Sequence, residues 1–116
     1  MTDAERDEDL LRYISDSITL IAQYTGGGEE AFRREPMIQD AVLRRLETLA
    51  DAARQLSGEI TARHPDIPWR AIYGFRNVAA HGYLGLDVGR VWTTVQDSLP
   101  ALHSVVTEEL RRSENA

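Results

Sequence analysis

Between Arg76 and Tyr83 the chain sets a guanidinium, a carboxamide, an imidazole and a phenol within eight residues, at Arg76, Asn77, His81 and Tyr83. Arginine offers a planar, bidentate fork to a phosphate. Histidine is the side chain whose unperturbed pKa, ~6.5, suits proton transfer near neutral pH. An Arg–His pair can therefore hold a phosphodiester and move a proton to or from a ribose hydroxyl, enough for an RNA cut that uses no metal. Asn77 precedes His81 by four residues and shares its helical face, so it can bond the ring nitrogen that is not engaged in chemistry and fix the tautomer. Tyr83, one residue past Gly82, can touch the phosphate or stack on a base. Arg76 and His81 are the candidate catalytic residues; Asn77 and Tyr83 are the candidate orienting and substrate-contacting ones.

The spacing poses a geometric problem. Five residues of ideal helix place Arg76 and His81 about 140° apart with about 7.5 Å of rise between them. They share a site if the helix ends near His81, as Gly82 suggests, or if two copies of the helix meet and residues from both chains converge. Plainer roles exist. An Arg and a His at this separation arise by chance in arginine-rich helices, His81 can cap a helix C-terminus, and Tyr83 can pack against the bundle with its hydroxyl outward.

No other constellation competes. His64 precedes Pro65 in a loop and shapes a turn; His103 lies beside Leu102 and Val106 in the last helix, where a half-buried histidine is the expectation. No two histidines have metal-ligand spacing, and no His–Glu pair falls at i, i+4. Gly26 to Gly28 lack the following Lys-Ser/Thr and the βα context of a phosphate loop, so they read as a hinge. No cofactor is indicated.

Helical periodicity positions the candidate residues. Leu11, Ile14, Ile18 and Ile21 mark a first helix from about Asp3 to Tyr24, which Gly26–Gly28 interrupt before a possible turn at 29–34. Pro36 suits the first turn of a second helix striped by Val42, Leu46, Leu49, Ala53 and Leu56, stopping at Ser57 and Gly58. Pro68 should open a third, with Trp69, Ile72, Phe75 and Ala79 on one face and Gly82 and Gly85 at its end. Asp87 is a suitable N-cap for a fourth through Val88, Val91, Val95 and Leu99. Pro100 either kinks that helix or opens a fifth with Leu102, Val105, Val106 and Leu110. Four or five amphipathic helices on short loops predict an all-α, up-and-down bundle. The 116 residues form a single expected domain, with polar tails fraying at about 1–8 and 113–116.

Composition narrows the class. Apolar residues make up 42%, a globular value. No run approaches the ~20 apolar residues of a membrane span, the first residues are acidic rather than signal-like, and cysteine is absent. These point to the cytoplasm and exclude disulfides, thiolate zinc sites and cysteine nucleophiles. The net charge of −6 argues against a general nucleic-acid coat. All thirteen basic residues are arginine, which suits local, bidentate phosphate contacts in a confined cleft.

Other stretches extend the pattern: Gln39 to Arg44 followed by Leu46 and Glu47, Arg63 to Arg70 with Pro65, Pro68 and Trp69, and Val91-Trp92 with Leu99 to Leu102. In this order, and with the Arg-x4-His-x-Tyr core, the chain resembles the HepT-like ribonuclease toxins of the HEPN superfamily from about Glu5 to Leu110. The resemblance implies a HEPN-like helical homodimer whose motif lines an interfacial cleft. It implies metal-free RNA cleavage through attack of a ribose 2′-hydroxyl on the adjacent phosphate. It also implies a type VII-like toxin–antitoxin pair, in which a minimal nucleotidyltransferase antitoxin silences the toxin by transferring AMP to the motif tyrosine, here Tyr83. Where family members often carry Asn before the Leu-Glu of the second helix and Gly-Glu after it, this chain has Arg45 and Ala50-Asp51, a change expected to tune substrate choice. The alternative is a non-catalytic helical partner of the nucleotidyltransferase, which the acidic net charge favours.

Overall fold

Thr2 sets the start of the first helix: its Oγ1 accepts from the Glu5 N–H at 3.1 Å, and its hydroxyl donates to Glu5 Oε1 at 3.0 Å. This reciprocal cap opens α1 (Asp3–Tyr24), and Thr25 closes it with N–H and hydroxyl both bonded to the Ile21 carbonyl. The computed structural model describes residues 1–80 and 87–116, with side chains from 78–80 left aside. Gly28, at φ 91°, turns the chain into α2 (Glu29–Arg34), a backbone conformation that glycine adopts without a Cβ penalty. Then follow α3 (Pro36–Gln55), α4 (Gly58–Arg63), α5 (Trp69–Tyr73), α6 (Phe75–Ala80) and α7 (Val88–Glu114). Among the described residues the fold is all-α.

Long-range bonds fix how the helices run. Asp7 accepts from the Ser57 N–H at 3.0 Å and from its hydroxyl at 2.7 Å, and Arg6 donates to Gln55 at 2.8 Å. The beginning of α1 therefore lies beside the end of α3, and the two are antiparallel. Near the start of α7, Trp92 packs a tilted ring 5.6 Å from Phe32 of α2; near its end, Glu109 meets Arg63 of α4. So α7 runs with α3 and against α1, the expected up-and-down arrangement.

The predicted stripes face inward. Leu11, Ile14, Ile18 and Ile21 of α1 join Val42, Leu46, Leu49 and Ala53 of α3 and Val91, Val95, Leu99, Leu102 and Val106 of α7 in one cluster. Fully burying a side chain of this kind contributes roughly 1.5–3 kcal/mol against leaving it in water. Phe32, 1% exposed, locks α2 onto this core, and Gln39 holds the end of α2 by donating to the Phe32 and Arg33 carbonyls.

Helical structure begins at Asp3, where the periodicity places it, with Thr2 as its cap and Arg6 and Asp7 tying it to the α3–α4 junction; at the other end it continues to Glu114. Two local features differ from the sequence reading. Before the prolines, where a short turn is expected, stands the six-residue helix α4; Ser57, already held by Asp7, starts it. The expected third helix comes in two pieces. At Gly74 the bonding tightens, the Asn77 N–H reaching back three residues to the Gly74 carbonyl at 3.0 Å, and α5 gives way to α6. Pro100 does not open a new helix, since α7 continues through it. Asp87 caps α7 as predicted, accepting from the Arg90 N–H at 3.0 Å.

Candidate functional site

Arg76 and Asn77 stand in the first turn of α6, both exposed. They line a concavity of about 360 Å³ together with Arg54 from the last turn of α3, Arg70 from α5, Tyr73 and Gly74. Local sequence explains the placement. Phe75 and Ile72 bury their side chains and anchor this segment to the core, so neighbouring polar side chains are left at the surface. Packing of α3 against α5 and α6 carries Arg54 to the same wall. The Arg54 guanidinium carbon lies 5.7 Å from the centre of the Tyr73 ring, a cation–π geometry that holds the charge over the half-buried phenol.

The electrostatics of this concavity are one-sided. Arg12, Arg33, Arg34, Arg44, Arg63 and Arg112 each have a carboxylate within 4.0 Å. Among the described residues Arg54, Arg70 and Arg76 have none, nor do Arg6, Arg45, Arg90 and Arg111, but the first three share this concavity, and residues 81–86 (His-Gly-Tyr-Leu-Gly-Leu) contain no acid to pair with them. Three guanidiniums on one concave surface of a chain with net charge −6 present a local anion site.

His81 and Tyr83 lie outside the described residues, as do the glycines Gly82 and Gly85 expected to end the third helix. Arg76 and Asn77 are thus brought to one surface. Of the positions where the chain departs from the resembled pattern, Ala50 is in the core, 1% exposed, Asp51 is exposed on α3, and Arg45 is half-buried. None of them lines the Arg54–Arg70–Arg76 concavity.

Away from this surface, two histidines have defined surroundings. His103 borders an apolar groove of about 440 Å³ between α1 and α7, with Ile18, Ile21, Trp92 and Leu99. His64 does more than shape a turn. Its Nε2 sits 2.6 Å from Glu109 Oε2, while Arg63 donates to both oxygens of the same carboxylate, at 2.6 and 3.1 Å. Glu109 is 3% exposed. The hydrogen bonds from Arg63 hold its carboxyl below the ordinary range against the opposing effect of burial, and His64 adds to the lowering. The same pairing raises the Arg63 guanidinium. The His64 backbone carbonyl accepts from Trp69 Nε1 at 3.0 Å, joining the start of α5 to this cluster. A signal for it existed in the sequence: Glu109 continues the inward stripe of Leu102 and Val106, where a carboxylate requires a partner. Among the described residues no group of three or more His, Asp or Glu side chains could hold a metal ion, and no helix is long and apolar enough to cross a membrane.

Comparison with known proteins places this arrangement in a family. The model of the family described as "Ribonuclease HepT-like" matches residues 14–109, which takes in α1 from Ile14 onward, α2 to α6 and most of α7. A Thermococcus cleftensis protein named "Probable ribonuclease HepT" is 34% identical over 106 residues, covering 90% of this chain and 96% of the relative. A Methanocaldococcus jannaschii protein, named as a gamma-glutamylcyclotransferase and candidate RNase, is 33% identical over 109 residues; the match covers 90% of this chain but only 49% of that relative. A Caldanaerobacter subterraneus protein named as a candidate RNase is 31% identical over 93 residues, covering 80% of this chain and 83% of the relative. No solved structure matches the chain. With five-sixths of its length inside the family model, and its helical bundle presenting Arg76 and Asn77 on an arginine-lined surface, the chain belongs to the HepT-like ribonuclease family of the HEPN superfamily.

Proposed function

We propose that this protein is a cytoplasmic, metal-independent endoribonuclease, the toxin of a type VII-like toxin–antitoxin pair. The observation that carries the reading is the three-arginine concavity around Arg76 and Asn77 in a chain of the HepT-like ribonuclease family. Arg76 binds the scissile phosphate and stabilises the charge that develops on it. The ribose 2′-oxygen attacks the adjacent phosphorus, the P–O5′ bond breaks, and a 2′,3′-cyclic phosphate and a 5′-hydroxyl result. His81 moves one of the two protons required, taking that of the 2′-hydroxyl or supplying that of the leaving oxygen. Asn77 orients the imidazole, and Tyr83 contacts the substrate.

In this proposal the protein acts as a homodimer, with the motif of each copy near a two-fold axis, so that Arg76 and His81 converge despite their angular separation on one helix. Its partner is a minimal nucleotidyltransferase antitoxin that transfers AMP to Tyr83. The experiment that tests the activity is incubation of purified protein with total RNA and with single tRNAs in EDTA. Cleavage to cyclic-phosphate ends supports the reading. Intact RNA with and without added divalent metal, together with no growth arrest on expression, would leave a non-catalytic partner of the nucleotidyltransferase, the reading that the acidic net charge favours. Light scattering at micromolar concentration should show a dimer.

A further inference from the structure

Arg54 and Arg70 lie outside the Arg76–Tyr83 motif, yet the fold delivers both to the surface that carries Arg76. Arg54 comes from α3, 22 residues before Arg76, and Arg70 from α5; both are exposed and both line the same concavity. A cluster of like charges costs free energy through mutual repulsion, and this chain has nineteen acidic residues with which to relieve it. Six of its thirteen arginines are paired to carboxylates. Of the seven with no such pair among the described residues, Arg54, Arg70 and Arg76 are gathered in this one concavity. Tyr73 adds a second element: its ring lies beneath Arg54 and limits where that guanidinium can go. Arg54 is thus partly pre-positioned, which lowers the entropy lost when it grips an anion.

We propose that Arg54 and Arg70, with Tyr73 as the platform for Arg54, form a phosphodiester-binding subsite that holds the RNA backbone next to the phosphate bound at Arg76. This assignment rests on the ribonuclease reading and extends it from the reacting phosphate to its neighbour. The ligand class follows from the chemistry present. Three guanidiniums in a row of elements fit a polymer with repeated single negative charges, each open to a bidentate contact. The exposed Asn77 carboxamide supplies hydrogen bonding without further charge. Because the rest of the surface is predominantly acidic, RNA engages locally, and Arg54 and Arg70 determine the direction in which the strand crosses α6. They are positioning residues: they touch the substrate away from the bond that breaks.

The test uses two backgrounds. In His81→Ala protein, where RNA stays intact, binding of a fluorescent single-stranded RNA oligonucleotide is followed by anisotropy across a salt series. Arg54→Gln and Arg70→Gln should each weaken binding about tenfold, the size expected for loss of a charge-assisted contact. Each should also flatten the salt dependence by about 0.7 in log–log slope, the value for one single-strand phosphate contact. Arg54→Lys should restore the slope while recovering only part of the affinity, since charge returns without the fork. In protein that retains His81, the same substitutions should raise KM for RNA and leave kcat within a few-fold. Unchanged affinity, slope and KM in both Gln variants, with cleavage intact in the parent, would overturn the subsite and leave the ribonuclease reading standing. RNA binding that depends on Arg54 and Arg70 in a protein that cuts nothing would sustain the subsite and remove the catalytic reading. A parent that neither binds nor cuts RNA would overturn both. Losses seen with a glutamate-rich peptide but not with RNA would assign the concavity to an acidic protein and refute the proposal.

Discussion

Arg63 Nη2 donates to Glu109 Oε1 at 2.6 Å across 46 residues of sequence, clasping the end of α4 to the last turns of α7. The carboxylate is nearly sealed, its side chain 2% exposed, whereas the guanidinium is 31% exposed. Removing the outer partner strands a charge inside, and that asymmetry decides which substitution costs more.

Arg63→Ala should therefore destabilise the fold by about 2–4 kcal/mol, somewhat under the roughly 3–5 kcal/mol of a fully buried pair because the Arg63 side chain is 31% exposed. Glu109→Gln should cost less, because a neutral amide can still accept from Arg63. Urea denaturation of the two variants checks the order. Arg112→Ala is the control: its guanidinium is 3.8 Å from Glu109 and more than half exposed, and it should shift stability by less than about 1 kcal/mol.

The same clasp predicts an acid sensitivity. Glu109 is held below the ordinary carboxylate range, first by its hydrogen bonds from Arg63. A group with a lowered folded-state pKa binds protons more readily when unfolded, so its stabilisation is complete above its unfolded value and is lost as pH falls through the folded one. Stability should decline below about pH 4.5, and Glu109→Gln should decline less steeply over that window. Urea midpoints at successive pH values measure the difference in slope.

His81→Ala and Arg76→Ala should each lower RNA cleavage by about 10²–10⁴-fold, the usual effect of removing a proton-transfer group or a charge stabiliser. Arg76 is exposed, so its substitution should leave the melting transition unchanged within error. His103→Ala should cleave within a few-fold of wild type, since His103 borders the groove between α1 and α7 and not the arginine concavity. Initial rates on one RNA substrate compare the three directly.

In the proposed switch, AMP on Tyr83 would add a phosphate charge and a purine two residues from His81 in sequence, and that charge would compete with RNA for Arg76. Incubation with the proposed nucleotidyltransferase partner and ATP should add one adenylate mass and eliminate cleavage. Tyr83→Phe keeps the ring, lacks the acceptor oxygen, and should gain no such mass. Intact-mass spectrometry reads the result; adducts of full yield on Tyr83→Phe would place the modification at another residue.

The parts of this structure that were legible in advance depend on neighbours in sequence. The stripes of α1 and α3, the Asp87 cap and Pro36 at the start of α3 are consequences of spacing within one or two turns. What spacing could not give is contact between distant segments. His64 does lie in the loop after α4, but its bond to Glu109 was hidden because the two are 45 residues apart. Arg54 looked like one of many exposed arginines until α3 brought it over Tyr73. The break at Gly74 was hidden for a different reason: Trp69, Ile72 and Phe75 satisfy an uninterrupted helical stripe, and the tightened turn changes hydrogen bonding without disturbing that pattern. For the candidate site, Arg76 and Asn77 were visible from their types alone, and their arginine neighbours were not.

Pro100 gives α7 a property that its outline conceals. A proline has no amide hydrogen, so the Gln96 carbonyl, one turn earlier, loses its helical donor although the rod continues to Glu114. Amide exchange should accordingly divide α7 into two protected blocks, one headed by the Asp87 cap and the other anchored by Glu109. The N-terminal block, packed on Phe32 through Trp92, adjoins the segment that carries His81 and Tyr83 in sequence. Opening of that block should leave the Glu109 clasp closed, so that the two ends of one continuous helix exchange as separate cooperative units; equal protection on both sides of Pro100 would show that they do not.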